Sequence, residues 1–235
     1  VIPGYTVFIK GQIRVPDEIL SGPDYRDYLR VDIPRREGIL SINGEPYHGL
    51  DNNRTRIPLR SEWAGKTLDF DLLVFNSRER ENDRTFVNAI GFERIDLKIE
   101  SCYYLYIIAN EFMDNVGNEP DNAHIKTRVN AAIEDAVKDL DLDLTGEALR
   151  ESAALAEKRL IDGLAAIDDG DVRGIISLIG HTHIDVAWLW QLKDTVRKCG
   201  HTFPNMLRLM DEYPDFTFSC SQLQLMDYTK KYYPE

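Results

Sequence analysis

The hydrophobic period of this chain changes along its length, and the changes constrain its fold more firmly than any single motif. From Tyr5 to about Ala109, apolar and polar residues alternate in short runs, among them Tyr5–Ile9, Gly38–Ile42, Leu68–Val74 and Phe92–Ile99. Alternation puts successive side chains on opposite faces of an extended strand, so these runs predict half-buried strands. Asn43-Gly44, set between Ile42 and Tyr47, predicts a tight hairpin because both residues tolerate positive φ. An antiparallel β-sandwich over residues 1–112 is the expected result. The charged stretch Ser77–Arg84 reads as a solvated loop.

Beyond Asn118 the period lengthens. Ile125, Val129, Ile133, Val137 and Leu140 recur at spacings of three and four, and Leu149, Ala153, Ala156, Leu160, Leu164 and Ile167 repeat the pattern after Thr145-Gly146-Glu147. Two amphipathic helices are expected, forming a helical linker over 113–172. The acidic cluster Asp139–Asp143 lacks the glycine and terminal glutamate of a calcium loop, so it reads as a solvated helix end. Asp168-Asp169-Gly170-Asp171 reads as a turn.

From Arg173 to Glu235 the pattern becomes strand, helix, strand, helix. The run Gly174–Gly180 (GIISLIG) has the length and β-branched content of a fully buried parallel strand. Asp215–Cys220 predicts the next strand, after a helix ending near Tyr213-Pro214, and a further helix starts at Ser221 or Gln222. These are expected to be the first βα units of a larger architecture, in which ligands bind beyond the carboxyl ends of the strands.

At that strand end stands His181-Thr182-His183-Ile184-Asp185-Val186-Ala187-Trp188-Leu189-Trp190. If the extended conformation continues, His181, His183 and Asp185 project from one face. Imidazole and carboxylate together suit a borderline divalent ion such as zinc. The plainer alternative makes Asp185 the N-cap of a helix beginning at Val186. For Trp188 and Trp190 it gives core packing on that helix.

This decapeptide, with Asp194–Cys199, Phe203 and Leu207–Phe216 after it, resembles the start of the catalytic domain of the glycoside hydrolase family 38 α-mannosidases, in their bacterial and cytosolic branch. Gly38–Asp51 and Ile57–Gly65 resemble the family's β-rich amino-terminal domain more weakly. The resemblance implies a zinc-dependent retaining hydrolase of terminal α-mannosyl residues of oligosaccharides, homo-oligomeric as the parent enzyme. It implies a (β/α)7-type barrel opening at 173–235, with His183 and Asp185 as metal ligands. His181 would support them without binding the ion, and Trp188 would pack against the sugar. Gln191 stands where the family often has proline, Asp194 where it has glutamate and His201 where it has arginine. The family's nucleophilic aspartate and a further histidine ligand lie on later strands, so both would fall beyond Glu235. The chain therefore reads as an amino-terminal fragment, inactive alone. Asp194, Asp211, Glu212, Asp215 and Asp227 read as helix-surface and turn residues.

Competing readings come from other classes. A His-x-His at a first barrel strand also serves metal-dependent amidohydrolases and deacetylases, where both histidines bind metal and a water is activated. A non-catalytic carbohydrate-binding or assembly module would instead use aromatics such as Tyr103, Tyr104 and Tyr106. The net charge of −12 argues against nucleic acid or an anionic membrane as partner. No apolar run is long enough to span a bilayer. Cys102, Cys199 and Cys220 are few, odd in number and widely spaced, which suits a reducing, cytoplasmic setting.

Overall fold

The computed structural model describes residues 6–34, 36–75, 87–116, 120–167 and 177–234. Ser77–Arg84, Asp168–Asp171 and the opening of the apolar run at 174–176 lie outside the described residues. Two compact units are formed, one from segments within 1–21, 27–93 and 176–235, the other from 22–26 and 94–175.

In the first unit, β1 (Thr6–Arg14), β6 (Thr67–Phe75), β3 (Glu37–Ile42) and β4 (Glu45–Leu50) form an antiparallel sheet in the order β1-β6-β3-β4. A second sheet has the order β5-β2-β7, from Arg56–Pro58, Tyr25–Asp32 and Ala89–Asp96. The hairpin between β3 and β4 turns on Asn43 and Gly44, at φ 53° and 88°, as the sequence predicts. Alternation is visible in β6, where Leu68, Phe70, Leu72 and Val74 are buried while Thr67 and Asp69 are exposed. These side chains share one core with Leu29 and Val31 of β2 and Ile57 of β5, so the two sheets close over common apolar contents. Burying each such side chain contributes about 1.5–3 kcal/mol.

The second unit corrects the expected strand at Phe92–Ile99. Strand β7 stops at Asp96, whose Oδ1 accepts from the amides of Lys98 and Ile99 and so caps α1 (Leu97–Asn115). Tyr103, Tyr104 and Tyr106 are therefore helical residues, the first two exposed. Apolar side chains stand on every side of α1, so no helical period shows, and its aromatic, β-branched content imitates a strand. Helices α2 (Pro120–Val137) and α3 (Gly146–Ala165) lie where the spacing predicts them. They pack with α1 through small residues, Ala109 and Ala136 against Leu160, and Cys102 against Ala153 and Ala156.

Residues 177–234 return to the first unit. β8 (Gly180–His181) pairs in parallel with β9 (Phe218–Ser219), with α4 (Leu192–Glu212) between them, and α5 (Leu223–Tyr232) follows. The order strand, helix, strand, helix is as expected, but both strands are shorter than the apolar runs suggest. Leu178 is 89% exposed and Ile179 is exposed too, so this part of GIISLIG is no buried strand. Burial of a parallel strand needs cover on both faces, and among the described residues none covers these two. α4 lies against β4 so closely that a Cβ on Gly49 would stand 2.1 Å from the His201 carbonyl oxygen.

Candidate functional site

The loop between β8 and α4 is anchored by one inward residue. Ile184 is buried against Cys199 and Leu225, and its amide donates to Gln222 Oε1 at 3.3 Å. With Ile184 turned inward, extended backbone turns its neighbours His183 and Asp185 outward. His183 Nε2 meets Asp185 Oδ1 at 2.9 Å, and both side chains are open to solvent. His181, also exposed, ends β8. Of the three residues expected on one face, the structure brings His183 and Asp185 together. Among the described residues no three His, Cys, Asp or Glu side chains converge to hold a metal.

Thr195 fixes the rest of the loop. Fully buried on α4, its hydroxyl accepts from the Ala187 amide and from Trp190 Nε1, both at 3.0 Å, and donates to the Asp185 carbonyl at 3.1 Å. The chain must therefore reverse between Asp185 and Trp190, and Ala187 takes φ 58°, rare for a residue with a Cβ. The reversal leaves Trp188 62% exposed, edge-on to Trp190 with ring centroids 5.6 Å apart. Lys198 Nζ lies 4.7 Å from the Trp190 ring centroid and is held by both Glu37 oxygens, at 2.6 and 2.7 Å.

Helix α4 starts at Leu192, so Asp185 caps no helix and neither tryptophan is a residue of one. The N-cap is Gln191, whose amide donates to Asp194 Oδ2 at 3.3 Å, while Asp194 Oδ1 accepts from Arg197 at 3.1 Å. Asp194 is buried and not the surface residue expected from sequence. His201 is buried as well, its Nε2 3.2 Å from the Leu50 carbonyl and 3.6 Å from Asp51 Oδ2. Burial lowers the His201 pKa against the opposing pull of Glu37 and Asp51. A cavity of about 250 Å³ lies beside the motif, lined by Glu37, Asp51, His183, Trp190, Lys198 and His201 among others.

Does this pair suit a metal? A zinc ion about 2.0–2.2 Å from each of two donors at a tetrahedral angle separates them by about 3.4 Å. The 2.9 Å contact reaches that separation with a small opening of two exposed side chains. Imidazole nitrogen and carboxylate oxygen are both ordinary zinc donors. The pair fits as part of a zinc shell and falls short of the three protein ligands usual at a catalytic site.

Several residues that hold this arrangement are silent in the sequence. Thr195, Gln222 and Glu37 lie 10, 37 and 148 positions from Asp185 and have no motif spacing. Only the folded contacts disclose them.

Residues 173–235 match the family model described as "Glycosyl hydrolases family 38 N-terminal domain". Human alpha-mannosidase 2C1 is 46% identical over 65 residues, which cover 28% of this chain and 6% of the human protein. Alpha-mannosidase G of Dictyostelium discoideum is 46% identical over 57 residues, 24% of this chain and 5% of its own length. An alpha-mannosidase of Saccharomyces cerevisiae is 39% identical over 57 residues, again 24% and 5%. The matched stretch thus spans less than a tenth of these relatives. Residues 173–235 belong to glycosyl hydrolase family 38.

Proposed function

We propose, from the family membership of residues 173–235, that the chain is part of a zinc-dependent retaining α-mannosidase acting on terminal α-mannosyl residues of oligosaccharides. The observation that carries the proposal is the His183–Asp185 pair, with donor atoms 2.9 Å apart, in a loop that also presents Trp188. His183 and Asp185 would hold the ion, and Trp188 offers an open aromatic face to a sugar ring. When bound, zinc supplies Lewis acidity towards neighbouring sugar hydroxyls. Thr195 keeps the Asp185 backbone and Trp190 in place, and Ile184 ties the loop to Gln222. The β8-α4-β9 unit, a parallel pair with its crossover helix, supports reading 173–235 as the opening of a (β/α)7-type barrel. The strands up to Asp96 would be its β domain and helices α1 to α3 its helical linker, which moves that boundary from the expected 112 to the cap of α1.

A retaining glycosidase needs two carboxyl groups about 5–5.5 Å apart across the sugar. Three of the carboxylates after the motif are otherwise engaged. Asp194 caps α4, Glu212 accepts from the Tyr28 hydroxyl and Asp211 pairs with Arg208. The 235-residue chain alone should release no p-nitrophenol from the aryl α-mannoside. Turnover abolished by Asp185→Ala would overturn this.

In the intact protein, metal content and α-mannosidase rate are to be compared for His181→Ala, His183→Ala and Asp185→Ala. Loss of metal and activity in the last two is expected. His181→Ala, acting through orientation, should cost about 10–100-fold. Metal loss in His181→Ala as complete as in His183→Ala, with hydrolysis of amides and no mannosides, would replace this reading with the amidohydrolase type.

A further inference from the structure

A second cavity in the first unit has no lining residue in common with the metal motif. It measures about 340 Å³, and Arg30, Arg54, Arg56, Arg208, His48 and Glu212 are among its walls. The chain carries 40 acidic against 28 basic residues, yet Glu212 is the one carboxylate among these lining residues, facing four guanidinium groups. All four cations are arginine, whose planar fork matches oxyanions in a way lysine does not.

Each arginine also has a carboxylate partner outside the cavity wall. Arg54 meets Asp51 at 2.6 Å, Arg56 meets Glu93 at 2.6 Å, Arg208 meets Asp211 at 2.9 Å, and Arg30 lies 4.0 Å from Asp32. The three shorter contacts orient Arg54, Arg56 and Arg208. A guanidinium carries five N–H donors, more than one carboxylate can engage.

His48 and Arg208 point independently to a ligand. His48 is 7% exposed, and both its ring nitrogens are buried without a hydrogen-bond partner, as is Arg208 Nε. Buried polar atoms are rarely left so. Burial, then the nearby charges of His201, Arg54 and Arg208, hold His48 neutral with its pKa lowered to about 3. A neutral imidazole has one donor and one acceptor to satisfy. Inorganic phosphate near neutral pH presents acceptor oxygens and a hydroxyl donor in both its monoanion and its dianion, and a phosphate monoester keeps the donor only as the monoanion, whereas sulfate presents acceptors alone.

We propose that the pocket walled by Arg30, Arg54, Arg56, Arg208 and His48 is a phosphate-binding site, taking inorganic phosphate or the phosphate group of a small phosphorylated metabolite. Arg54 and Arg208 would grip the anion, Arg30 and Arg56 would add charge at the rim, and His48 would complete its hydrogen bonding.

The test is calorimetric titration of the intact protein at constant ionic strength near pH 7 with inorganic phosphate, glycerol phosphate and sulfate. One saturable phosphate site is expected, with sulfate weaker by about tenfold for one missing hydrogen bond. Tighter binding of glycerol phosphate would identify a phosphorylated metabolite as the source, and equal binding would identify free phosphate. The double variant Arg30→Gln, Arg56→Gln alters exposed side chains, and losing charge-assisted bonds should weaken phosphate by about 10–100-fold. Arg54→Lys keeps the charge but loses the fork and should weaken it too. His183→Ala should leave phosphate binding unchanged, which separates this site from the metal pair. The absence of saturable phosphate binding to the wild-type protein, or equal affinity in all these variants, would overturn the proposal.

Discussion

Replacing Thr195 by valine keeps the volume and β-branched shape of a fully buried side chain and removes a single hydroxyl. That hydroxyl makes three hydrogen bonds, to the Ala187 amide, Trp190 Nε1 and the Asp185 carbonyl. At about 1 kcal/mol net each, their loss costs at most about 3 kcal/mol. Ala187 is exposed and its amide can turn to water, so about 1–3 kcal/mol is the working range. Opening of the 185–190 loop should then become about 5–150-fold more frequent. The assay is amide hydrogen exchange followed by mass spectrometry on the intact protein, read at the peptide containing Ala187, beside metal affinity. Faster exchange confined to this loop is expected, with metal affinity down about 10–100-fold, as for a group that orients a ligand. Thr195→Ser, which keeps the hydroxyl, should restore most of both. Unchanged exchange and metal affinity in Thr195→Val would refute the idea that this hydroxyl sets the loop.

Two further outcomes follow from packing and burial. Gly49→Ala drives a Cβ to 2.1 Å from the His201 oxygen and strains the paired bonds between Gly49 and Asn205, both 2.9 Å. Overpacking of this kind costs about 1–3 kcal/mol or more, so a lower denaturation midpoint is expected, and wild-type stability would refute the close approach of α4 to β4. His48 has a folded pKa of about 3 against an ordinary value of 6.5. Between those values the unfolded chain binds the extra proton, so stability should be intact above pH 6.5 and fall as the pH drops towards 3, at up to about 1.4 kcal/mol per pH unit. Denaturation across pH 4–7 should show a shallower slope for His48→Gln than for wild type, and identical slopes would contradict a buried neutral imidazole.

Legibility of the fold followed the kind of signal each element carries. β3, β4 and β6 declare themselves by alternation and by Asn43-Gly44, and α2 and α3 by spacing, because in each of these one face is buried and the other is not. Helix α1 has no such asymmetry, and only Asp96, as a capping residue two places before Lys98, marks where strand gives way to helix. The run ending at Gly180 shows the opposite failure. Its apolar content suggests burial, but burial depends on neighbours, and Leu178 stays 89% exposed among the described residues. At the site, the spacing of His183 and Asp185 was readable because it is local. The hydroxyl, amide and carboxylate that hold their loop come from distant positions with no periodicity to expose them.

The positions where this chain departs from the pattern that the resemblance implies, Gln191, Asp194 and His201, lie on the capping and seating of α4 and leave His183 and Asp185 unchanged. Gln191 and Asp194 form the amino-terminal cap of α4, whose next residue, Thr195, holds the loop. His201 is further along the same helix and meets the Leu50 carbonyl, where the absence of a side chain at Gly49 lets α4 approach β4. Lys198 lies between these positions in sequence and joins Glu37 of β3 to the face of Trp190. One helix thus presents the loop through its first turn and seats itself on the β-sheet through the following turns. Substitutions at 191 and 194 therefore change how α4 is capped, ahead of Thr195, while one at 201 changes how the helix is seated and also the wall of the cavity that His201 shares with His183. The departures leave His183 and Asp185 unchanged on an altered support, and Thr195, whose hydroxyl donates to the Asp185 carbonyl, is the residue through which a change in the cap of α4 would be felt at Asp185.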